Sequence, residues 1–370
     1  MTSAQGKQLR HAIVGAAASV FSMHKEALAL PEVKLVAVSD IDIPAGQRRA
    51  QELECAFYAD HRQLLAEVQP DVVTIMTPHP FHAPIAIDCL RAGAHVLVEK
   101  PMAVQVAEAD AMVEVANQQQ KLVGVVFQQR FRPEVRAARK LIQEGQLGTI
   151  QHVEFSVAWP RTTYYYQQAS WRGTWAGEGG GVLMNQAPHN LDILCHLVGL
   201  PKRVFAWTRN LLHNIETEDT VQAILEWPNG ACGSLHISTA EADIPESLKI
   251  VGTRGSLDVR KGALIHRHLE SELKEFLETT PKAFPSVRAE SVPVELEPGK
   301  GDHLAVYRHF YDAILHNGTF TSAGAEGRME LELANSLIYS SYTHSEVELP
   351  LDRQKYAALL DDLRLEAARS

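Results

Sequence analysis

Residues 71–101 read DVVTIMTPHPFHAPIAIDCLRAGAHVLVEKP, and this stretch decides the fold. Val72–Met76 and His95–Val98 are short, continuous apolar runs, the pattern of strands buried on both faces. Pro84–Ala92 between them reads as a helix, so strand, helix and strand follow one another as in a parallel sheet. Working outward, Ala12–Val14 and Leu35–Ser39 give two earlier strands of the same kind, and Val123–Phe127 gives a later one. Helices are predicted over Gln47–Leu53, His61–Val68 and Val106–Gln119. The alternation predicts a doubly wound α/β Rossmann domain over residues 1–128.

After Gln128 the texture changes. Pro133–Glu144 suits a helix that Pro133 can open and Gly145 can close. Alternating strand-like segments follow: Gln151–Ala158, Arg203–Arg209, Val221–Glu226, Cys232–Ser238, Ser247–Val251 and Ser256–Val259. Turn sequences such as Pro228-Asn229-Gly230 separate several of them. A glycine turn, Gly179–Gly181, precedes a predicted helix over Asn185–Leu197, and two further helices cover Asp302–His316 and Ala325–His344. This predicts an α+β domain over 129–350 with a large, mostly antiparallel open-faced sheet. A charged helical tail over 351–370 completes the reading.

The composition narrows the function. Lys and Arg number 35 against 45 Asp and Glu, a net charge of −10, and no basic stripe of the kind nucleic acid requires is present. Four scattered cysteines with no C-x-x-C pair fit reduced thiols in a cytoplasm. No run approaches the ~18 apolar residues of a membrane span. Lys7 and Arg10 before the apolar stretch Ala12–Phe21, with Ala27-Leu28-Ala29 after it, imitate a secretory signal. The rival reading, strand Ala12–Val14 into a Gly15 turn and a helix, agrees better with the rest of the chain.

Gly15 closes the first strand where a dinucleotide fold places its phosphate turn. Against the pattern G-x-G-x-x-G the chain keeps only this glycine and has Ala17 and Val20 at the other two positions, with Ser19 between them. Asp40 ends the next strand, where a carboxylate accepts from a ribose diol and repels a 2′-phosphate. Arg48 and Arg49 nearby would suit NADP, so NAD is favoured and NADP is the alternative. Thr77, Pro78, His79 and His82 follow one strand, and Glu99, Lys100 and Pro101 follow the next, both at carboxyl ends where open α/β sheets bind ligands. Gln128 closes the set of candidate cofactor-binding residues.

Asn185 and His189 lie four apart and would share one helical face. His189, Asp192 and His196, or His79 and His82, raise a metal alternative. No further ligand cluster joins either group at the usual spacing, so no metal is expected. Tyr165, Trp171 and Arg172 lie in an aromatic stretch suited to a sugar or nicotinamide pocket, or to plain core packing.

These residues together resemble the Gfo/Idh/MocA family of nicotinamide-dependent oxidoreductases. The resemblance runs through the Gly15 turn with His24, Asp40, residues 71–78, His82 and the Glu99-Lys100-Pro101 triplet. It continues through Arg130-Phe-Arg-Pro133, residues 142–148, Gly179–Gly181 with Asn185, His189 and Asp192, and Gly324–Arg328. It implies a Rossmann domain joined to a domain whose open sheet often serves as an oligomer interface, hence a homodimer or homotetramer. It also implies an active site between the domains, with Lys100 and His189 converging on a hydroxyl of a sugar or cyclitol. Oxidising a secondary alcohol removes a hydride from carbon and a proton from oxygen. His189 suits the acid/base role and Lys100 the polarisation of the oxygen. Where the family often carries Asp the chain has Asn185, which orients hydroxyls but carries no proton. Two alternatives remain at this level: a redox-neutral, glycoside-cleaving enzyme with retained NAD, and a non-catalytic nucleotide or sugar sensor.

Overall fold

The computed structural model describes residues 8–369, which form two compact units. The first takes the chain up to Gln128 together with Ala176–Gly179 and Asp302–Leu331. Its strands are β1 (Leu9–Val14), β2 (Val33–Ser39), β3 (Ala56–Tyr58), β4 (Val72–Ile75), β5 (His95–Val98) and β6 (Val123–Val125). They form one sheet in the order β3-β2-β1-β4-β5-β6 with every pairing parallel. The strand order reverses between β1 and β4, which opens a crevice at the carboxyl ends of these strands. Val72, Val73, Ile75 and Val96–Val98 are fully buried, because helices cover both faces of a parallel sheet.

Arg10 and Ala12–Val14 belong to β1, so the strand reading holds over the signal reading; Lys7 lies outside the described residues. The helix expected after Gly15 is a single turn, Phe21–His24, followed by a 3-10 turn at Ala27–Ala29. The segment Asp302–Leu331, which the sequence reading keeps in the 129–350 domain, packs in the first unit instead. Asp302 caps the helix His303–His316, accepting from Ala305 N at 3.0 Å, and the helix buries Val306, Tyr307, Phe310 and Tyr311.

The second unit carries Gln129–Trp175, Gly180–Gly301 and the chain from Glu332 onward. Its sheet comprises β7 (Ile150–Ala158), β8 (Arg203–Arg209), β9 (Thr220–Glu226), β10 (Cys232–Ser238), β11 (Ser247–Gly252), β12 (Gly255–Arg260), β13 (Ala263–Leu269), β14 (Ala289–Val292) and β15 (Val347–Glu348). The order is β14-β13-β12-β11-β7-β10-β9-β8-β15. Among the described residues, β7 and β10 form its one parallel pair. Alternation is clear in β8, where Val204, Ala206 and Thr208 are buried while Trp207 and Arg209 face solvent. The tail helix Arg353–Ala367 buries Tyr356, Leu360 and Leu363 in this unit. No helix among the described residues is long and apolar enough to cross a membrane.

The expected helix Asn185–Leu197 is broken into a short turn, Val182–Asn185, and the helix Pro188–Val198. Pro188 has no N–H to continue the first helix but fits the first turn of the second. Asn185 and His189 therefore do not share one helical face.

Candidate active site

The Gly15 turn is built for close approach. Gly15 has φ +85°, and a Cβ there would meet Thr77 N at 2.8 Å and Met76 C at 2.9 Å, so no side chain is tolerated. Asp40 braces the turn through one backbone donor, Ala17 N to Oδ2 at 2.7 Å, while its Oδ1 accepts from Asp42 N at 2.9 Å on its own loop. An ionised carboxylate offers about four lone-pair sites, so two remain for a diol. Ala17 and Val20 are half-buried and Ser19 is exposed. Arg49 is committed within the fold: its Nε donates to Ala16 O at 3.2 Å and its guanidinium lies 3.8 Å from the Phe21 ring centroid. Arg48 is exposed.

At the carboxyl end of β4, Thr77 is half-buried and its Oγ1 is buried with no hydrogen-bond partner, an atom that a ligand hydroxyl or phosphate would satisfy. Pro78 is exposed; His79 is buried with Nδ1 3.2 Å from the Glu178 carbonyl. His82 ties the two strand-end turns together, with Nδ1 2.8 Å from Pro101 O and Nε2 2.7 Å from Thr77 O. Burial pulls the His82 pKa down, against the two carbonyl acceptors, which pull it up. Gln128 is half-buried just beyond β6. A cradle at Gly15, an acceptor at Asp40 and an orphaned hydroxyl at Thr77 fit a dinucleotide.

Glu99 follows β5, is 7% exposed, and accepts from His24 Nε2 at 2.9 Å on Oε1, with His303 Nε2 3.4 Å away on the same oxygen. Its other oxygen accepts from the main-chain N–H of half-buried Lys100 at 3.2 Å. Burial raises the Glu99 pKa, but the hydrogen bonds from His24 and His303 outweigh it and hold the carboxyl well below its usual range. Behind His24 lies a buried chain. His24 Nδ1 meets Tyr307 Oη at 2.9 Å, Tyr307 meets Thr74 Oγ1 at 2.9 Å, and Thr74 meets His11 Nε2 at 3.0 Å; His11 Nδ1 pairs with Tyr311 Oη. His24, Glu99 and His303 also have ligating atoms within 4.8 Å of one another, as a metal site would.

In the second unit, Glu218 fixes the glycine turn: its Oε1 accepts from Gly181 N at 2.9 Å and Leu183 N at 3.0 Å. A Cβ at Gly181 would meet Glu218 O at 1.9 Å, which explains the glycine there. Asn185 ends the short turn, and His189 lies in the first turn of the next helix, both half-buried. Asp192 is no ligand candidate, because Arg130 grips it bidentately (Nε to Oδ2 at 2.8 Å, Nη2 to Oδ1 at 2.6 Å). His196 is held neutral, its pKa pushed to about 3 by burial and then by the charges of Arg130 and Arg139.

Tyr165, Trp171 and Arg172 do come together. The Arg172 guanidinium lies 4.3 Å from the Tyr165 ring centroid and 4.7 Å from that of Trp171, and its Nη1 donates to Tyr165 Oη. Gln186, absent from the sequence reading, donates to the same phenol oxygen at 3.0 Å. Arg172 also lines a cavity of about 640 Å³ with Tyr166, Trp175, His213, Glu216 and Tyr342. Sequence reasoning missed His303, Tyr307, Glu218 and Gln186. A histidine or tyrosine among apolar helix positions was the one signal available for the first two.

Residues 9–127 match the family described as "Oxidoreductase family, NAD-binding Rossmann fold", and residues 135–258 match "GFO/IDH/MocA C-terminal domain". Mouse trans-1,2-dihydrobenzene-1,2-diol dehydrogenase is 30% identical over 279 residues, 72% of this chain and 80% of the relative. Levoglucosan dehydrogenase of Pseudarthrobacter phenanthrenivorans is 25% identical over 356 residues, 87% of this chain and 90% of the relative. Among solved structures, the WlbA dehydrogenase of Chromobacterium violaceum, in complex with NADH and UDP-GlcNAcA, superposes with a TM-score of 0.81. It is 29% identical, and the match covers 95% of this chain and 99% of that one.

Proposed function

The chain belongs to the Gfo/Idh/MocA family of NAD(P)-dependent oxidoreductases, and we propose that it moves a hydride between a secondary ring hydroxyl of a sugar, glycoside or cyclitol and NAD. The observation that carries this reading is Glu99-Lys100 at the carboxyl end of β5, in a sheet whose crevice also holds the Gly15 cradle and Asp40. The similar proteins named for substrates act on or bind ring compounds with hydroxyls, which supports the substrate class.

Bound NAD supplies the hydride acceptor. The chain supplies the rest. Lys100 holds the substrate oxygen and stabilises negative charge as the O–H proton leaves. His189 accepts that proton in oxidation and returns it in reduction. Asn185 orients a neighbouring hydroxyl, and the Tyr165–Arg172–Trp171 group offers ring faces and donors to a sugar. Asp40 and the commitment of Arg49 to Ala16 favour NAD over NADP. The exposed face of β8 and β9, with Trp207 41% and Ile224 56% exposed, is where a second copy packs in this reading. A cytoplasmic location belongs to the same proposal.

The test is the initial rate at 340 nm with NAD and with NADP over a panel of sugars, glycosides and cyclitols. Lys100→Ala and His189→Ala are each expected to lower kcat by about 10²–10⁴-fold while NADH still binds. Wild-type turnover in either variant removes that residue from the mechanism. A panel without absorbance change, but with NAD-dependent release of sugar, overturns net oxidation in favour of redox-neutral cleavage.

A further inference from the structure

We propose that Glu99 is a positioning residue for Lys100, and that His24 and His303 fix the Glu99 carboxylate so that it holds the Lys100 main chain in one place. The inference rests on the reading of Lys100 given above but concerns different atoms.

The Glu99 carboxylate has three donors and every one is part of the fold: His24 and His303 on Oε1, the Lys100 N–H on Oε2. The Glu99 main chain is anchored separately, its N–H donating to Ile75 O at 3.0 Å in β4. Side chain and backbone of Glu99 are thus both pinned, and the next residue begins from a pinned point.

One tautomer assignment satisfies the whole chain of groups behind His24. Tyr311 O–H donates to His11 Nδ1, His11 Nε2–H to Thr74 Oγ1, Thr74 O–H to Tyr307 Oη, Tyr307 O–H to His24 Nδ1, and His24 Nε2–H to Glu99. Every donor points toward Glu99, and the carboxylate is the acceptor that ends the series. His11, His24 and Tyr307 have no exposed surface, so no water replaces a lost member. A buried carboxylate of no chemical use would be an expensive way to join strand to helix, since apolar side chains pack there without desolvating a charge. Its position one residue before Lys100, and its hydrogen bond to that residue, give the charge a task.

The substitutions distinguish positioning from plain stability. Glu99→Gln removes the negative charge and leaves one acceptor oxygen where the carboxylate offers two, so the Lys100 N–H and the His24 N–H can both be satisfied only if the tautomers of the whole chain reverse. His24→Leu removes the clamp. His24→Gln keeps a donor toward Glu99 and an acceptor toward Tyr307, and serves as the conservative rescue. Three readouts are taken on the full-length protein. They are NADH affinity by fluorescence, kcat at 340 nm with the panel compound giving the highest wild-type rate, and the reactivity of Lys100 toward acetic anhydride by peptide mass spectrometry. Glu99→Gln and His24→Leu are expected to lower kcat by about 10- to 100-fold and alter Lys100 acetylation. NADH affinity should stay within about twofold, and His24→Gln should recover most of the rate. Wild-type kcat and acetylation in His24→Leu and Glu99→Gln overturn the inference. So does activity that falls only in step with NADH-binding capacity, which marks a structural role. Lys100→Met separates the two readings. If it turns over like wild type, the catalytic reading of Lys100 fails, and altered acetylation in Glu99→Gln still decides whether Glu99 positions it.

Discussion

In the first unit a buried run of imidazoles, phenols and a threonine is strung on hydrogen bonds to one carboxylate. The second unit, by contrast, carries guanidinium–carboxylate pairs in its interior: Arg130 with Asp192, Arg132 with Glu134 and Glu246, Arg353 with Glu332. The two solutions answer the same problem, that a buried polar group without a partner costs about 1–3 kcal/mol. They differ in what disturbs them. A chain of imidazoles changes its protonation between neutral and acid pH, whereas a guanidinium keeps its proton throughout. The difference assigns acid sensitivity largely to the nucleotide-binding unit and mutational fragility to the other.

The largest expected effect comes from breaking an ion pair. Arg130→Met takes the guanidinium away from the carboxylate of Asp192, 1% exposed, and should cost about 3–5 kcal/mol of unfolding free energy in urea. All five tryptophans (Trp159, Trp171, Trp175, Trp207 and Trp227) lie in the second unit, so its unfolding is read by their emission. The double variant Arg130→Met/Asp192→Leu should recover much of the loss; if it does not, the pair is more than charge compensation.

Acidification tests the other side. Burial pushes the His11 pKa down to about 3 and that of His95 to about 4. Both are neutral in the folded state and take up protons in the unfolded chain below about pH 6.5. Their stabilisation is full above that pH and is lost as pH falls toward their folded values, on the order of 4 kcal/mol for His11 by pH 3. Glu99, held low, adds a loss in the same direction. His196 and His266 give the second unit two groups of the same kind, each lowered chiefly by burial. A pH series in His196→Gln/His266→Gln should therefore lose ellipticity in the far ultraviolet before tryptophan emission shifts. Simultaneous transitions would erase the proposed contrast between the units.

The smallest effect is expected at Arg136, whose pair with Glu297 has its side chains 49% and 70% exposed. Arg136→Ala should change the unfolding free energy in urea by less than about 1 kcal/mol. A larger loss would mean that exposure does not separate the pairs that matter from those that do not.

Much of this architecture was legible in the sequence, for physical reasons. His95–Val98 and His61–Val68 are observed over the expected residues because a strand buried on both faces is continuously apolar and Gln69, at φ +48°, ends its helix sharply. The edge strands β3 and β14 escaped notice. Ala56–Tyr58 is three residues long, and Ala289–Val292 is exposed throughout, so neither leaves an apolar pattern. The site was legible where local chemistry marks it, at Gly15, Asp40 and Glu99-Lys100. It was hidden where the partners come from distant segments: no spacing rule connects Glu99 to His24 and His303, or Glu218 to Gly181. The break at Pro188 shows a third limit, since a proline between two helical segments reads equally well as a first-turn residue of one helix or the start of another.

Asp40 has a consequence for anyone wishing to redesign cofactor preference. The usual exchange at such a position replaces the acid with a small neutral residue to admit a 2′-phosphate. Here the same carboxylate is also the strut of the alanine-rich loop, gripping the amide of Ala17. An Asp40→Ser or Asp40→Ala exchange would remove electrostatic repulsion and slacken the pyrophosphate cradle in one step. A successful switch must first rebuild the loop, by restoring glycine at Ala17 or supplying another acceptor for its N–H, and only then alter the charge.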